Sequence, residues 1–194
     1  MVTALSFNKH VPNNLLAFSL LNKNIVEIWD LEKQTTAHYF EGTFKTIRDI
    51  TWFSHGDVLS VCSEDHCVYL LDGRSNGKCL MVQLCGHDSG VTSSDFLNNR
   101  YLCSASQDET IKIWDLSYAN KPLYSIGSGK LRSKKGEKHN ANDGETEKPT
   151  TTVTEPALEK IHEDEIWKIR ANSKKNAFAT IGDDGKLCIY PVYT

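Results

Sequence analysis

Four segments with one shared pattern recur along the chain, and this repeat constrains the fold more than any other feature. Each segment is a short alternating run, and the four align in register as IVEIWDL (Ile25–Leu31), CVYLLDG (Cys67–Gly73), TIKIWDL (Thr110–Leu116) and KLCIYPV (Lys186–Val192). The matching closing positions are Trp29, Leu71, Trp114 and Tyr190. The first two intervals are 42 and 43 residues, and the last is 76 residues, one period plus an insertion of about 33. A period near 40 indicates an array of repeated supersecondary units.

Two further runs, rich in β-branched and aromatic residues, precede each closing segment, as is typical of strands separated by turns. First strands are predicted at Val2–Asn8, Ile47–Phe53, Val91–Leu97 and Glu165–Ala171, each followed by a second strand (LLAFSLL, VLSVCSE, YLCSASQ, AFATIGD). Fourth strands are predicted at Ala37–Glu41, Lys78–Cys85 and Lys121–Ile126. Short antiparallel strands repeated radially form propeller blades. The sequence therefore predicts an all-β propeller with about four blades of four-stranded antiparallel sheet.

The third unit, Gly86–Leu116, carries the most specific motifs. It has Gly-His before the first strand, Ser-x-x-x-Asp leading into the turn, and Trp-Asp at the close. It resembles a complete repeat of the WD-repeat β-propeller family, and the other units are similar to it more loosely. The resemblance implies a hydrogen-bonded structural relay of His, Ser or Thr, Asp and Trp. In this chain the relay would comprise His87, Ser104, Asp108 and Trp114, and again His162, Thr180, Asp184 and Tyr190.

A His, a Ser and an Asp in one unit also suggest a nucleophilic triad. Against this, Ser104 is predicted in mid-strand, and the same set recurs with Thr180 at the repeat spacing, as a structural role predicts. The common phosphate-loop, zinc-protease and dinucleotide motifs are absent from the sequence. We expect neither enzymatic activity nor a cofactor or bound metal.

The segment 127–160 interrupts the repeat with Gly, Lys, Glu, Asn, Thr and Pro and almost no large apolar residues. Such a composition predicts a disordered insertion. The predicted organisation is three blades over 1–126, the insertion over 127–160, and a fourth blade over 161–194 that lacks its outer strand. Four blades with such ends predict an incomplete ring. Three explanations stay open: the C-terminal portion of a longer protein, a diverged half with unrecognised blades, or a half-ring that pairs with another chain.

Composition narrows the partners and the compartment. The formal charge of −3 gives no broad basic field, so nucleic acid is not the expected direct partner. No apolar run is long enough for a membrane span, and the N-terminus does not resemble a signal peptide. We expect an intracellular protein, in the cytoplasm or the nucleus. The six cysteines show no Cys-x-x-Cys spacing and are expected to be buried and reduced.

These features predict a non-catalytic protein-interaction scaffold that helps to assemble a multiprotein complex. Its partners would be other proteins, with self-association or strand donation by a partner as a way to complete the ring. One alternative is a substrate receptor of a cullin-type ubiquitin ligase, because Leu71-Asp72-Gly73-Arg74 resembles the docking sequence of some WD-repeat receptors. Another is an RNA-associated factor in ribosome assembly or RNA processing, with Lys168, Arg170, Lys174 and Lys175 as its basic cluster. Candidate partner contacts are Arg74, Trp52, Arg100 and Trp167, besides His55 and Tyr118.

Overall fold

A computed structural model describes residues 1–8, 14–21, 23–42, 45–74, 80–118, 121–127, 162–172, 174–175 and 177–192. These residues form fifteen β-strands and no helix. Among them, no helix therefore has the length and hydropathy of a membrane span. The segment predicted to be disordered, 127–160, lies outside the described residues except for Gly127, which ends a strand.

The strands form three four-stranded sheets and one three-stranded sheet, all antiparallel and each ordered along the chain. Blade 1 contains β1 (Val2–Phe7), β2 (Leu15–Leu20), β3 (Ile25–Asp30) and β4 (Thr35–Glu41). Blade 2 contains β5 (Ile47–Trp52), β6 (Val58–Ser63), β7 (Cys67–Asp72) and β8 (Leu80–Cys85). Blade 3 contains β9 (Val91–Phe96), β10 (Tyr101–Ser106), β11 (Thr110–Asp115) and β12 (Pro122–Gly127), and blade 4 contains β13 (Ile166–Asn172), β14 (Ala177–Gly182) and β15 (Leu187–Pro191). The predicted all-β fold of four blades is confirmed.

The turn before each third strand has one backbone feature in common among the four blades. The residue at the end of this turn has a positive φ of 49–73°, at Asn24, His66, Glu109 and Gly185. In blades 2 to 4 an Asp directly precedes it, and its carboxylate accepts the N–H two residues further on, from Cys67, Thr110 and Lys186. The Ser-x-x-x-Asp pattern therefore encodes a tight turn that starts the third strand in register.

The core consists of three apolar layers, each between two consecutive blades. The first layer joins Val26 and Ile28 of blade 1 to Ile50 and Leu59 of blade 2. The second layer lies between blades 2 and 3, and the third between blades 3 and 4. Each central blade is thus apolar on both faces. Within the described residues, no sheet contains strands from both blade 1 and blade 4, which agrees with the predicted incomplete ring.

The prediction that all six cysteines are reduced is wrong for one pair. Cys67 on β7 and Cys85 on β8 are directly opposite in the strand register, and their Cα atoms are 4.5 Å apart, joined by a disulfide. Facing residues of antiparallel strands at this separation are close enough for a disulfide. Cys62 and Cys103 are free and buried, and burial raises the pKa of both thiols. Cys79 lies outside the described residues.

Candidate interaction surface

Blade 3 brings its four predicted relay residues into one chain of hydrogen bonds. His87 Nδ1 lies 2.9 Å from Asp108 Oδ2, and His87 Nε2 lies 2.7 Å from Ser104 Oγ. The Trp114 indole N–H donates to the same Ser104 Oγ at 2.8 Å. An ionised carboxylate can only accept, so Nδ1 carries the imidazole proton and the Ser104 hydroxyl donates to Nε2. Each polar group in this chain therefore has a partner.

The charge state of the blade 3 relay follows from its burial and its contacts. Burial lowers the pKa of His87, so the neutral imidazole is favoured. Burial alone would raise the pKa of Asp108, but hydrogen bonding to His87, with help from Thr110, holds it well below its usual range. The relay at neutral pH thus combines a carboxylate with a neutral His.

Blade 4 repeats this arrangement up to its last member. His162 Nδ1 lies 3.0 Å from both Asp184 carboxylate oxygens, and His162 Nε2 lies 2.8 Å from Thr180 Oγ1. Desolvation opposes ionisation of Asp184, yet the Lys186 N–H and the His162 ring lower its pKa to about 2. Tyr190 differs from Trp114, because its buried hydroxyl has no hydrogen-bond partner in the described structure. Its ring instead stacks on Phe178 with centroids 4.7 Å apart.

The geometry around Ser104 resembles a serine-hydrolase triad, but the environment does not. Ser104 is fully buried, and its Oγ accepts the Trp114 N–H while donating to His87. Thr180, in the equivalent position of blade 4, is also buried. A nucleophile must reach a substrate carbonyl, and neither hydroxyl is exposed to one. Both sets instead link the strands of one blade to the turn that precedes its first strand.

Blades 1 and 2 contain only fragments of the relay. In blade 1, Ser19 Oγ lies 2.7 Å from Thr3 Oγ1. In blade 2, Asp65 accepts a hydrogen bond from the Tyr69 hydroxyl at 2.6 Å. Blades 1 and 2 also share one buried apolar layer.

A second polar cluster connects the first strands of three blades. The buried Asp49 of β5 bonds Lys168 Nζ at 2.8 Å and Arg170 Nη1 at 3.1 Å, both from β13. Ser93 of β9 donates to the same carboxylate at 2.6 Å. The sequence analysis did not single out Asp49. Its only signal in the sequence is an acid at a first-strand position where the other blades have Ala4, Ser93 and Lys168. The Asp49 carboxylate thus pairs with two of the four residues predicted as a basic RNA-binding cluster and offsets one of their two positive charges.

The carboxyl ends of the four first strands form a continuous surface with two cavities. One cavity of about 250 Å³ is lined by residues of all four blades, and a second of about 310 Å³ adjoins it. Their polar and aromatic lining defines the "end surface": Phe7, Ser54, His55, Asp95, Phe96, Asn99, Arg170 and Lys174.

On the end surface the basic side chains are more exposed to solvent than the acidic one. The side chain of Arg170 is about half exposed, at 49%, and Lys174 is exposed. Asp95 is largely covered; it accepts the Ala171 N–H at 2.9 Å, and burial raises its pKa. The accessible charge on this surface is therefore positive, and it lies beside the half-exposed ring of Phe7.

The predicted contact residues fall into different environments. Trp52 is buried between blades 1 and 2, where its indole N–H donates to the Ser6 carbonyl at 3.0 Å, so it is removed from the candidate contacts. Its bulk is matched by Gly73, since a Cβ there would lie 2.5 Å from the indole. Arg74 and Arg100 are exposed but bond Asp72 and Asp115 of their own blades.

Trp167 is 43% exposed, and Tyr118 is exposed as well. His55 is also exposed and lies in the end surface. The described residues hold no group of three or more His, Cys, Asp or Glu side chains suited to a metal ion.

Comparison with known proteins finds the same repeats. The family model for the "WD domain, G-beta repeat" matches residues 33–72 and 77–115. The histone-binding protein MSI1 of Saccharomyces cerevisiae is 27% identical over 141 residues, which cover 66% of this chain and 32% of that protein. The ribosome biogenesis protein YTM1 of S. cerevisiae is 30% identical over 120 residues, 59% of this chain and 25% of that protein. The nuclear distribution protein nudF of Aspergillus niger is 32% identical over 109 residues, 53% of this chain and 24% of that protein. The match therefore spans a third or less of the length of these relatives.

Proposed function

We propose that this chain, which belongs to the WD-repeat family, is a non-catalytic scaffold that binds protein partners and helps to assemble a multiprotein complex. WD-repeat proteins are in general protein-interaction scaffolds. The observation that carries the proposal is the contrast between the two polar regions. The groups with catalytic chemistry are buried inside blades 3 and 4, whereas the end surface exposes cations beside aromatic rings on rigid strands.

The end surface suggests the chemistry of a partner. Aromatic and Arg side chains are enriched at protein interfaces, and the turns of a rigid scaffold commonly carry binding residues. Arg170 and Lys174 supply accessible positive charge, and the half-exposed ring of Phe7 supplies apolar contact area. A partner segment that combines acidic and apolar side chains fits this surface best.

Affinity capture with a matched pair of variants tests the proposal. The surface variant is His55→Asp with Lys174→Glu, and the control variant is Tyr118→Asp with Lys121→Glu, at exposed sites near the outer strand of blade 3. Each variant replaces one ring and one lysine by two acids. We expect the surface variant to lose partners that the parent chain and the control variant retain. Equal capture by all three proteins would contradict the proposed surface.

A role in ribosome assembly is a second candidate, supported by the similarity to YTM1. It would act here through protein contacts, because Asp49 pairs with both Lys168 and Arg170 and offsets one of their charges, and the net charge of the chain is −3. Co-sedimentation with pre-ribosomal particles tests this role. Direct RNA binding that weakens steeply with added salt would favour the RNA-associated alternative instead.

The ligase-receptor alternative depends on Arg74. Its side chain is 72% exposed, and its guanidinium bonds both carboxylate oxygens of Asp72. In this alternative, Arg74→Ala abolishes capture of a cullin adaptor and leaves the other partners unchanged. Recovery of no adaptor by the parent chain would remove this role.

We also propose an intracellular location, in the cytoplasm or the nucleus. The names of the histone-binding and ribosome-biogenesis relatives support it. Disulfides are rare in the cytosol, so the Cys67–Cys85 bond makes the redox state of this pair in cells an informative measurement.

A further inference from the structure

The second cavity of the end surface lies where blades 2, 3 and 4 meet, and it has a volume of about 310 Å³. The turns between the first and second strands of these blades supply most of its lining: Phe53, Ser54, His55, Asn98, Asn99 and Lys174. The three blades are consecutive and pack against one another. All the described walls of this cavity are therefore formed by packing within the chain.

Aromatic rings form the apolar wall of the cavity. The Phe53 and Phe96 rings have centroids 5.1 Å apart, and the His55 ring lies 5.8 Å from that of Phe53. Backbone hydrogen bonds fix the turn after β5. The Phe53 N–H donates to the Val58 carbonyl at 2.8 Å, and the Gly56 N–H donates to the Phe53 carbonyl at 3.4 Å. The apolar wall is therefore held in place before a ligand binds, which lowers the cost of binding.

The polar groups of the cavity offer hydrogen-bond donors. The side-chain oxygen of Asn98 already accepts two backbone N–H groups, each at 2.9 Å, so its amide nitrogen with two donors remains for a ligand. Ser54 Oγ lies 2.6 Å from His55 Nδ1, which leaves Nε2 as the ring nitrogen that can contact a ligand. Lys174 is exposed, and its ammonium group has three donors and no acceptor.

The charge of the cavity is matched to a single negative charge. Its described lining includes Lys174 and no Asp or Glu. A phosphoryl group is typically held by Arg side chains or by several free backbone N–H groups. In the turn after β9 the N–H groups of Leu97, Asn98 and Arg100 already donate to acceptors inside the turn or at its end. One lysine beside neutral donors therefore fits a carboxylate better than a phosphate.

We propose that this cavity binds the carboxylate of an Asp or Glu side chain of a protein partner, with an aliphatic neighbour of that residue packed on Phe53. The carboxylate accepts from Lys174 Nζ and from the Asn98 amide, and the bond to the ammonium group is charge-assisted. A volume of about 310 Å³ is at the small end for ligand pockets, which suits one or two side chains rather than a whole helix. The inference rests on the scaffold function proposed above and specifies the contact that anchors its partner.

Nuclear magnetic resonance titration of the isotopically labelled chain with short peptides tests this site. The probes are N-acetyl-Leu-Glu-Leu-amide, its Gln analogue, which has nearly the same shape without the charge, and its phosphoserine analogue. We expect the Glu peptide to shift the resonances of His55 and Asn98. It should bind more tightly than the Gln peptide and at least as tightly as the phosphoserine peptide, and its affinity should fall with added salt.

Two neighbouring lysines provide matched variants. Lys174 and Lys175 are both exposed in the same turn, but only Lys174 lines the cavity. An exposed charge pair contributes modestly, so Lys174→Gln should weaken binding of the Glu peptide by about twofold to fivefold and leave the Gln peptide unchanged. Lys175→Gln should bind both peptides as the parent chain does. Circular dichroism should be the same for all three proteins, because neither side chain is buried.

Equal affinity for the Glu and Gln peptides, a clear preference for phosphoserine, equal losses in the two lysine variants, or an absence of shifts at His55 and Asn98 would each overturn the proposal. Failure of the scaffold function gives a different result, in which the Glu peptide binds in the cavity but partner capture does not depend on the end surface. Capture that depends on the end surface, without binding of the Glu peptide, would refute the carboxylate site alone.

Discussion

The Ser104→Ala substitution tests the relay of blade 3 most sharply. The hydroxyl accepts the Trp114 N–H and donates to His87 Nε2, so its removal leaves two buried groups without a partner. An unsatisfied buried polar group costs about 1–3 kcal/mol. Because losses within one network are not fully additive, we expect the free energy of unfolding to fall by about 2–5 kcal/mol. That is a large fraction of the stability of an ordinary domain.

Blade 4 supplies a matched comparison. Thr180→Val removes the equivalent hydroxyl at nearly constant volume, but only His162 loses a partner, because the Tyr190 hydroxyl does not bond Thr180. We therefore expect a smaller loss of about 1–3 kcal/mol. The difference between the two substitutions isolates the indole hydrogen bond of blade 3.

Urea unfolding, followed by tryptophan fluorescence and circular dichroism at one fixed protein concentration, measures both losses. The midpoint and slope of each transition give the free energy of unfolding. A Ser104→Ala protein as stable as the parent, or less affected than Thr180→Val, would refute the assignment of Ser104 as acceptor and donor within the relay.

Three further predictions follow from single contacts. Because burial lowers the pKa of His87, its contribution to the free energy of unfolding should be fully present above pH 6.5 and should be lost as the pH falls below that value. His87→Gln should weaken this pH dependence in acid titrations of unfolding, and an unchanged slope would contradict the prediction. Tyr190→Phe removes a buried unpartnered hydroxyl and should leave the melting temperature equal or higher, whereas a marked decrease would reveal a lost hydrogen bond. Reducing the Cys67–Cys85 disulfide should lower the free energy of unfolding by about 3 kcal/mol. The double substitution Cys67→Ser with Cys85→Ser should abolish this response, and a parent chain whose stability does not change with reductant would argue against the bond.

The sequence was sufficient for the fold because the information is periodic. Alternation, turn residues and a closing Trp-Asp recur at a fixed interval, so each unit supports the assignment of the others. Two strands differ from the prediction only at their ends. β8 starts at Leu80 where Lys78 was predicted, and β12 ends at Gly127 where Ile126 was predicted. Such boundaries depend on hydrogen bonds that composition does not specify.

The relay residues were predicted from the resemblance of the third unit to a WD repeat, and the second set was placed at the matching positions of the fourth unit. Contacts between units were not found. The disulfide depends on Cys67 and Cys85 being opposite in register, 18 residues apart. The cluster around Asp49 joins this residue to Lys168 and Arg170, which follow it by 119 and 121 positions and belong to another blade. Neither of these sequence separations is marked by the repeat.

Trp52 shows a related failure. As a large aromatic residue outside the relay it was a reasonable contact candidate, yet it lies in an apolar layer. Its first-strand position aligns with Phe7 and Phe96, and only the packing of neighbouring blades decides which of these rings is covered. Whether an aromatic side chain at this position is exposed therefore depends on whether another blade packs against it, and not on the residue type.

Site-specific photo-cross-linking of a captured partner tests the central claim, that the chain is a scaffold whose end surface binds protein, most directly. A photoreactive residue is placed at His55, in the end surface, and in a second protein at Tyr118, in an exposed turn of blade 3. We predict a covalent adduct with the partner from position 55 and none from position 118. Adducts from position 118 alone would contradict the account, because the partner would then bind away from the end surface.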